Sequence, residues 1–475
     1  MKIVLSHSYF LKLDPKEDAN NKPYPPLAPL YLSALIKNEL GLQTMFYDVM
    51  FDKDVKNLQE FIIQQQPDVV IIYDDDFNYL TKMCLENMRM AILKIGQNKL
   101  NNTTYIAHGS DASDQAELYL NHGFDYIVHK NAESIILDSL KLLSQKKEIK
   151  HLASLSYLKN GNIISNSNSS VQNLVEKIPI ANWETIDLEP YRDLWEKNHG
   201  YFSLNISTAH GCPYRCNWCA KPLYGRSYNL RPARIIADEF EYIIKHLKAD
   251  HIWITDDIFG LNPKWLTEFA DIIEAKKLAV PYKIQARADL MSPNYVSDLK
   301  RSGCNEVWLG AESGSQKILD AMDKDQTIQE ITEAVFLLQN AGIKVALFLQ
   351  YGYPGEKYVD IKETLRMVRE LKPDAIGISV SYPLKGTPFY EKVKQEFSDK
   401  KNWNYSGDLA VMYEGTYHPD FYRALHKFTH HYFGFISIMR KQKLLKRVRR
   451  LAAQSRHIPG MIYYRFKMSR YLTAN

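Results

Sequence analysis

Cysteine is scarce. The chain has 475 residues and only five cysteines. An odd number, three of them clustered within eight residues, excludes a disulfide-stapled secreted scaffold and fits a reducing cytoplasm. Long apolar runs are also missing. The longest candidate, Phe433 to Met439, is stopped by Arg440, far short of a membrane span. Met1-Lys-Ile-Val-Leu runs straight into polar residues, so no secretory leader is expected. There is no solenoid repeat, and no motif for reading nucleic acid. Acidic residues are absent from one stretch: Arg440 to Asn475 holds eleven Lys/Arg and no Asp/Glu, so the net +5 of the chain leaves −6 on the first 439 residues. What remains is an ordinary globular composition, 45% hydrophobic and 24% charged, with length for two or three domains.

The clustered cysteines are Cys212, Cys216 and Cys219, in Gly211-Cys-Pro-Tyr-Arg-Cys-Asn-Trp-Cys219. Three sulfurs on one short loop form a ligand set. Zinc would need a fourth ligand, which His210 could supply. An iron–sulfur cubane held by three thiolates would keep one iron open for a small molecule. The alternating Phe202 to Ser207 reads as a strand, so the cysteines follow a strand's carboxyl end. Five more strands alternate with helices: His251–Thr255, Tyr282–Arg287, Glu306–Gly310, Val345–Leu349 and Ala375–Val380. Parallel strands joined by helices place chemistry at their carboxyl ends.

The C-x3-C-x2-C spacing on such a loop resembles the radical S-adenosylmethionine (SAM) superfamily. The resemblance implies a six-stranded partial (β/α)6 barrel over about 201–395, a [4Fe–4S] cluster on Cys212, Cys216 and Cys219, and SAM on the open iron. It implies that Asp256 and Asp257 receive the SAM ammonium, with a strand-end helix cap as the bland alternative. Arg287 would meet the SAM carboxylate or form a structural ion pair. Glu312 or Ser313, in Gly310-Ala-Glu-Ser-Gly314, would bond ribose hydroxyls. Trp218 would lie against the adenine or simply pack. Gly352-Tyr-Pro-Gly-Glu356 and Gly386-Thr-Pro388 look like the superfamily's later turns, with Tyr351 and Tyr353 candidates for the substrate cavity. An electron donor such as flavodoxin or ferredoxin is the implied partner. Cys84, on a helix, and Cys304, starting a strand, read as core.

Residues 1–150 read as a doubly wound α/β unit, with strands near Lys2–Leu5, Asp68–Tyr73, Thr104–Ala107 and Tyr126–Val128 and a helix over Leu27–Leu40. Its ligand crevice is expected at the loops Ser6–Ser8, Tyr73–Phe77, His108–Asp111 and His129–Glu133. This half resembles the Rossmann-like cobalamin-binding domain that precedes the barrel in one large radical SAM group, with Pro25-Pro-Leu-Ala-Pro-Leu-Tyr-Leu32 like that group's first helix. Cobalamin beside His108 and Gly109 is therefore expected. The departures are His108-Gly109 where the group has Gly-Gly, Lys130-Asn-Ala-Glu133 where it has Gly-Glu-Gly-Glu, and no Asp-x-His-x-x-Gly. His7 and His108 are poor axial ligands, because a lone loop histidine is more often hydrogen-bonded within the protein. Asp74-Asp-Asp76 reads as a loop capping a helix that begins near Asn78.

The connector, 151–200, holds a hairpin at Asn160-Gly161 and reads as a linker across both domains. The region 396–475 reads as a helical extension. Arg440 to Leu451 has an amphipathic basic pattern, open to three readings: a solvated helix, a peripheral membrane contact, or an acidic substrate or partner. The expectation is a cytoplasmic radical SAM enzyme, possible membrane association included, acting on a small-molecule or lipid-like substrate. It would use cobalamin to methylate an unactivated carbon. A non-methylating rearrangement or cyclisation, and a non-catalytic zinc- or cobalamin-binding module, are the alternatives.

Overall fold

A computed structural model describes residues 1–74, 77, 79–167, 173–219, 227–397, 399–438 and 455–472. Two sheets organise the chain. The first contains β1 (Ile3–Ser6), β2 (Thr44–Phe46), β3 (Val69–Tyr73), β4 (Thr104–His108), β5 (Tyr126–Val128), β6 (Leu155–Lys159) and β7 (Asn162–Ser165), in the order β2-β1-β3-β4-β5-β6-β7. Its first five strands are parallel. Val-Val-Ile-Ile-Tyr of β3 is wholly buried, because helices cover both faces. The order reverses between β1 and β3, which puts a crevice at their carboxyl ends.

The second sheet is β8 (Ser203–Ile206), β11 (His251–Ile254), β12 (Tyr282–Ala286), β13 (Cys304–Glu312), β14 (Lys344–Tyr351) and β15 (Ala375–Val380). Its six strands are all parallel and run consecutively, as a partial barrel. Residues pointing outward, such as Ile252, Ile284, Val307 and Leu347, are fully buried under the helices. Between the sheets lies the helix Leu27–Leu40. Every residue from Leu27 to Ile36 is buried, because one side meets the first sheet and the other meets the barrel. Gly41, at φ +65, ends it.

Four local expectations change. The hairpin is an edge of the first sheet rather than a linker: β6 pairs antiparallel with β5 and takes up its open hydrogen bonds. The segment after it, with buried Trp183, Tyr191 and Trp195, does bridge both units: the Ala181 N–H donates to Glu239 of the barrel, while Tyr191 donates to Asp48 and the Trp195 indole to the Pro23 carbonyl of the first unit. Thr44–Phe46 was not anticipated, since three half-buried residues carry no readable period. Asp74 is buried rather than part of a solvated loop, and it accepts the Ser8 backbone N–H at 3.1 Å. Asp75, Asp76 and Asn78 lie outside the described residues. Cys84 is buried but sits in a turn at φ +53, after the short helix Tyr79–Lys82. Cys304 is core at the start of β13, as its place at the head of a strand suggests.

A long helix, Pro419–Ile438, covers the outer face of β14 and β15, with Tyr351 bonded to Thr429. The basic pattern from Arg440 to Arg450 lies outside the described residues. Among the described residues no helix is long and apolar enough to cross a membrane.

Candidate active site

The cysteine loop begins where β8 ends. Ala209–His210 and Asn229–Leu230, β9 and β10, pair antiparallel and close the base of the excursion between them. Gly211, at φ +83, turns the chain out of β9. Asp256 ties the neck. Its carboxylate accepts the backbone N–H of Thr208 at 2.6 Å and of Ala209 at 3.1 Å, and the hydroxyls of Ser207 and Thr208. Burial pushes this carboxyl up to about 6, against the pull of those bonds.

Further out, the Tyr214 ring lies 3.8 Å from the Arg287 guanidinium carbon. Asn217 joins the loop to three others. Its backbone N–H donates to the Met322 carbonyl at 3.0 Å and its own carbonyl accepts from the Phe389 N–H at 3.0 Å. Its side chain donates to the Ala321 carbonyl at 2.8 Å and accepts from the Tyr353 hydroxyl at 2.9 Å. The turn from Cys216 to Cys219 is thus positioned by residues other than the cysteines.

Cys212 is buried, Cys216 and Cys219 are half-buried, and no cysteine is in a disulfide. Three thiolates on one loop are a donor set that fits a cubane, in which each thiolate meets a different iron and one iron stays open. His210, the fourth ligand of the zinc reading, is a buried residue of β9 whose ring packs 4.7 Å from Phe77. Burial and then Arg231 push its pKa down to about 3.

The other anticipated residues gather at the same mouth, several of them already engaged. Asp256 holds the neck, so its oxygens face the loop. Asp257 lies beside it, with Oδ1 2.6 Å from Nζ of Lys82, a residue of the first domain. Arg287 is a structural ion pair: Nε reaches Asp289 at 2.8 Å, and the other nitrogens donate to Asp289 and to the carbonyls of Lys324 and Asp325. Glu312, at φ +57 after the irregularity in β13, accepts from Lys324 Nζ at 3.0 Å, both groups buried. Ser313 is buried against the Thr364 hydroxyl at 3.2 Å. Trp218 packs on a small cluster of Ile318, Met322, Tyr353, Phe389, Val393 and Tyr413. Its indole N–H is buried with no partner among the described residues.

Sequence reading missed Lys82, Asn217, Lys324 and Glu356. The first three carry no local signal, because each acts across a large sequence separation. Glu356 lies within the Gly352–Glu356 turn read as conformational. One of its oxygens takes the Gly352 N–H at 2.6 Å, the other has no partner among the described residues, and burial pushes the carboxyl up to about 8.

At the first sheet, a narrow crevice is lined by Ser8, Asp74, Thr81, Cys84, Arg89 and Asp111. Arg89 and Asp111 pair across it, both buried, and Tyr119 donates to Asp111 at 2.8 Å. Burial pushes the neighbouring Asp114 up to about 7. Gly109, at φ +147, lies so close to Asp74 that a Cβ would come within 2.4 Å of its carboxylate oxygen. His108 Nδ1 bonds the Val128 carbonyl at 2.9 Å, and its ring packs on Tyr73. His7 likewise bonds Asp48 at 2.8 Å.

Residues 206–368 match the family model described as the radical SAM superfamily. An uncharacterised methyltransferase of Pyrococcus horikoshii is 24% identical over 373 residues, covering 77% of this chain and 78% of that protein. The cobalamin-dependent radical enzyme OxsB, solved with aqua-cobalamin bound, superposes with a TM-score of 0.75 at 15% identity, over 98% of this chain and 72% of the other. The radical methyltransferase TsrM of Kitasatospora setae, solved with cobalamin and a [4Fe–4S] cluster, gives 0.68 at 17% identity, over 83% and 75%. Those two likenesses establish a shared fold. With the cysteine loop at the mouth of a six-stranded half-barrel, residues 206–368 form a radical SAM domain, which implies a [4Fe–4S] cluster and SAM as its cofactors.

Proposed function

We propose that this enzyme methylates an unactivated carbon of a small-molecule substrate, with cobalamin at the first sheet. The carrying observation is the placement of two sites along one junction: the segment Leu80 to Arg89 lines the crevice, and Lys82 within it reaches Asp257 beside the cysteine loop. The methyltransferase relative and the fold shared with TsrM and OxsB support the reading. Cys212, Cys216 and Cys219 would hold the cluster, which would supply the electron for reductive cleavage of SAM. Cobalamin, when bound, supplies the methyl group. Ser8, Thr81 and the Arg89–Asp111 pair would hold it, and that pair must open to admit a corrinoid.

The residues of the chain set the geometry. Asp256 and Asn217 hold the loop at the mouth of the barrel, where Cys212, Cys216 and Cys219 would hold the cluster. Asp257 accepts the SAM ammonium by a charge-assisted bond. Trp218 supplies a flat face at the third cysteine, for the adenine.

The experiment is anaerobic reconstitution followed by two assays. Deoxyadenosine should form from SAM under strong reductant, and hydroxocobalamin should bind stoichiometrically. No deoxyadenosine would sink the radical chemistry; no corrinoid binding would sink methyl transfer and leave that chemistry standing.

Lys82 provides a second check. Its ammonium occupies the carboxylate that the SAM ammonium needs, and a site populated only part of the time binds with proportionately lower apparent affinity. Lys82→Met is expected to tighten SAM binding by about tenfold in equilibrium dialysis. Methylthioadenosine, which lacks the amino acid, should bind both proteins alike. Weaker SAM binding by Lys82→Met would instead make Lys82 a direct ligand.

A further inference from the structure

Large apolar side chains exposed on this protein are mostly scattered, with one exception. Of nine such residues among those described, four lie on the C-terminal helix Ile458–Leu472: Ile458 at 41%, Ile462 at 65%, Tyr463 at 59% and Phe466 at 59%. Ile458, Ile462 and Phe466 recur every fourth residue and form one stripe. The opposite face is anchored. Met468 is buried, Tyr471 stacks on His418 and bonds Asp420, and Tyr464 stacks on His431, so the helix is held against Pro419–Ile438. Its orientation is therefore set by packing, with the apolar stripe facing outward.

Cations border that stripe. On a helical projection Arg465 falls on one side, and Arg470 and Lys467 on the other. Arg465 and Arg470 are exposed, and the Arg470 guanidinium carbon lies 4.9 Å from the Phe466 ring centroid. No acidic residue occurs on this helix or anywhere from Arg440 to Asn475, a stretch with eleven Lys/Arg. An outward apolar centre with cationic flanks matches an interfacial helix, whose apolar side enters the acyl boundary while its basic side chains meet lipid phosphates. A second copy of the chain is a poor occupant, because the same cations would face each other across the stripe.

We propose that this helix docks the protein on an anionic membrane surface, through Ile462 and Phe466 as insertion residues and Arg465 and Arg470 as phosphate contacts. The probe is flotation of the reconstituted full chain with two vesicle types, one of phosphatidylcholine and one with phosphatidylglycerol added at about one part in four. Binding should favour the anionic vesicles and weaken as salt rises from about 0.1 to about 0.5 M. Ile462→Ser with Phe466→Ser should reduce it at least about tenfold, and Arg465→Gln with Arg470→Gln should remove the preference for anionic lipid. Both pairs are surface changes, and deoxyadenosine formation should be unaltered. The proposal is overturned by absent vesicle binding, by binding indifferent to the serine pair, or by a concentration-dependent dimer that the serine pair makes monomeric without any vesicle binding.

Discussion

Cys216→Ala is expected to yield a folded protein with little iron or sulfide after reconstitution and no deoxyadenosine from SAM. The loop around it does not depend on the thiol. Asn217 is bonded to Met322, Phe389, Ala321 and Tyr353, and the neck is held by Asp256 and the β9–β10 pair. The loss should therefore appear in cluster content, with the far-ultraviolet spectrum and melting temperature of the apoprotein close to wild type. Two thiolates leave two irons of the cubane without protein ligands, and the open position for SAM is no longer defined. Wild-type iron content with stoichiometric zinc release from Cys216→Ala would place a different metal on the loop. Full deoxyadenosine formation by the variant would remove Cys216 from the cluster altogether.

Glu239→Ala should cost about 3–5 kcal/mol of stability, a change large enough to compromise folding. Arg231 and Glu239 are fully buried and 2.7 Å apart. Arg231 also donates to the Tyr31 hydroxyl at 2.8 Å, the Ser207 carbonyl at 2.7 Å and the Pro179 carbonyl at 3.0 Å. One guanidinium thus fastens the helix Leu27–Leu40, the end of β8 and the connector to the barrel. Removing the carboxylate leaves an uncompensated cation in the interior, where desolvation dominates. The double variant Arg231→Met with Glu239→Leu should lose much less, since replacing both charges by apolar groups removes that penalty. Denaturant unfolding of the apoproteins reads both. A Glu239→Ala stability within about 1 kcal/mol of wild type, or a double variant worse than the single, would show that the pair is not what holds the two halves together.

Much of the site was legible because radical SAM chemistry needs residues close in sequence. Three thiolates on one turn, following an alternating strand, mark a ligand set at a barrel's carboxyl end, and the resemblance of their spacing to the radical SAM superfamily implies the cluster. Parallel strands were equally plain, since β3 is an unbroken apolar run and β11 to β15 recur with helices between them. Individual roles were less legible. Asp256 and Asp257 are adjacent and chemically identical, yet one is consumed by four hydrogen bonds from residues 207–209 and the other meets Lys82. Arg287 reads as a carboxylate ligand until Asp289 and two carbonyls are seen to take its donors.

The amino-acid order alone therefore determined the chemistry class, the six-stranded half-barrel, and the α/β unit ahead of it, because spacing and period are local properties. Which carboxylates stay available, what reaches across from the first domain, and which face of the last helix is left to the surroundings were decided only by tertiary packing. Each depends on desolvation and on partners far away in the chain, such as Lys82 and Asp257 or Tyr471 and Asp420. No local pattern encodes those.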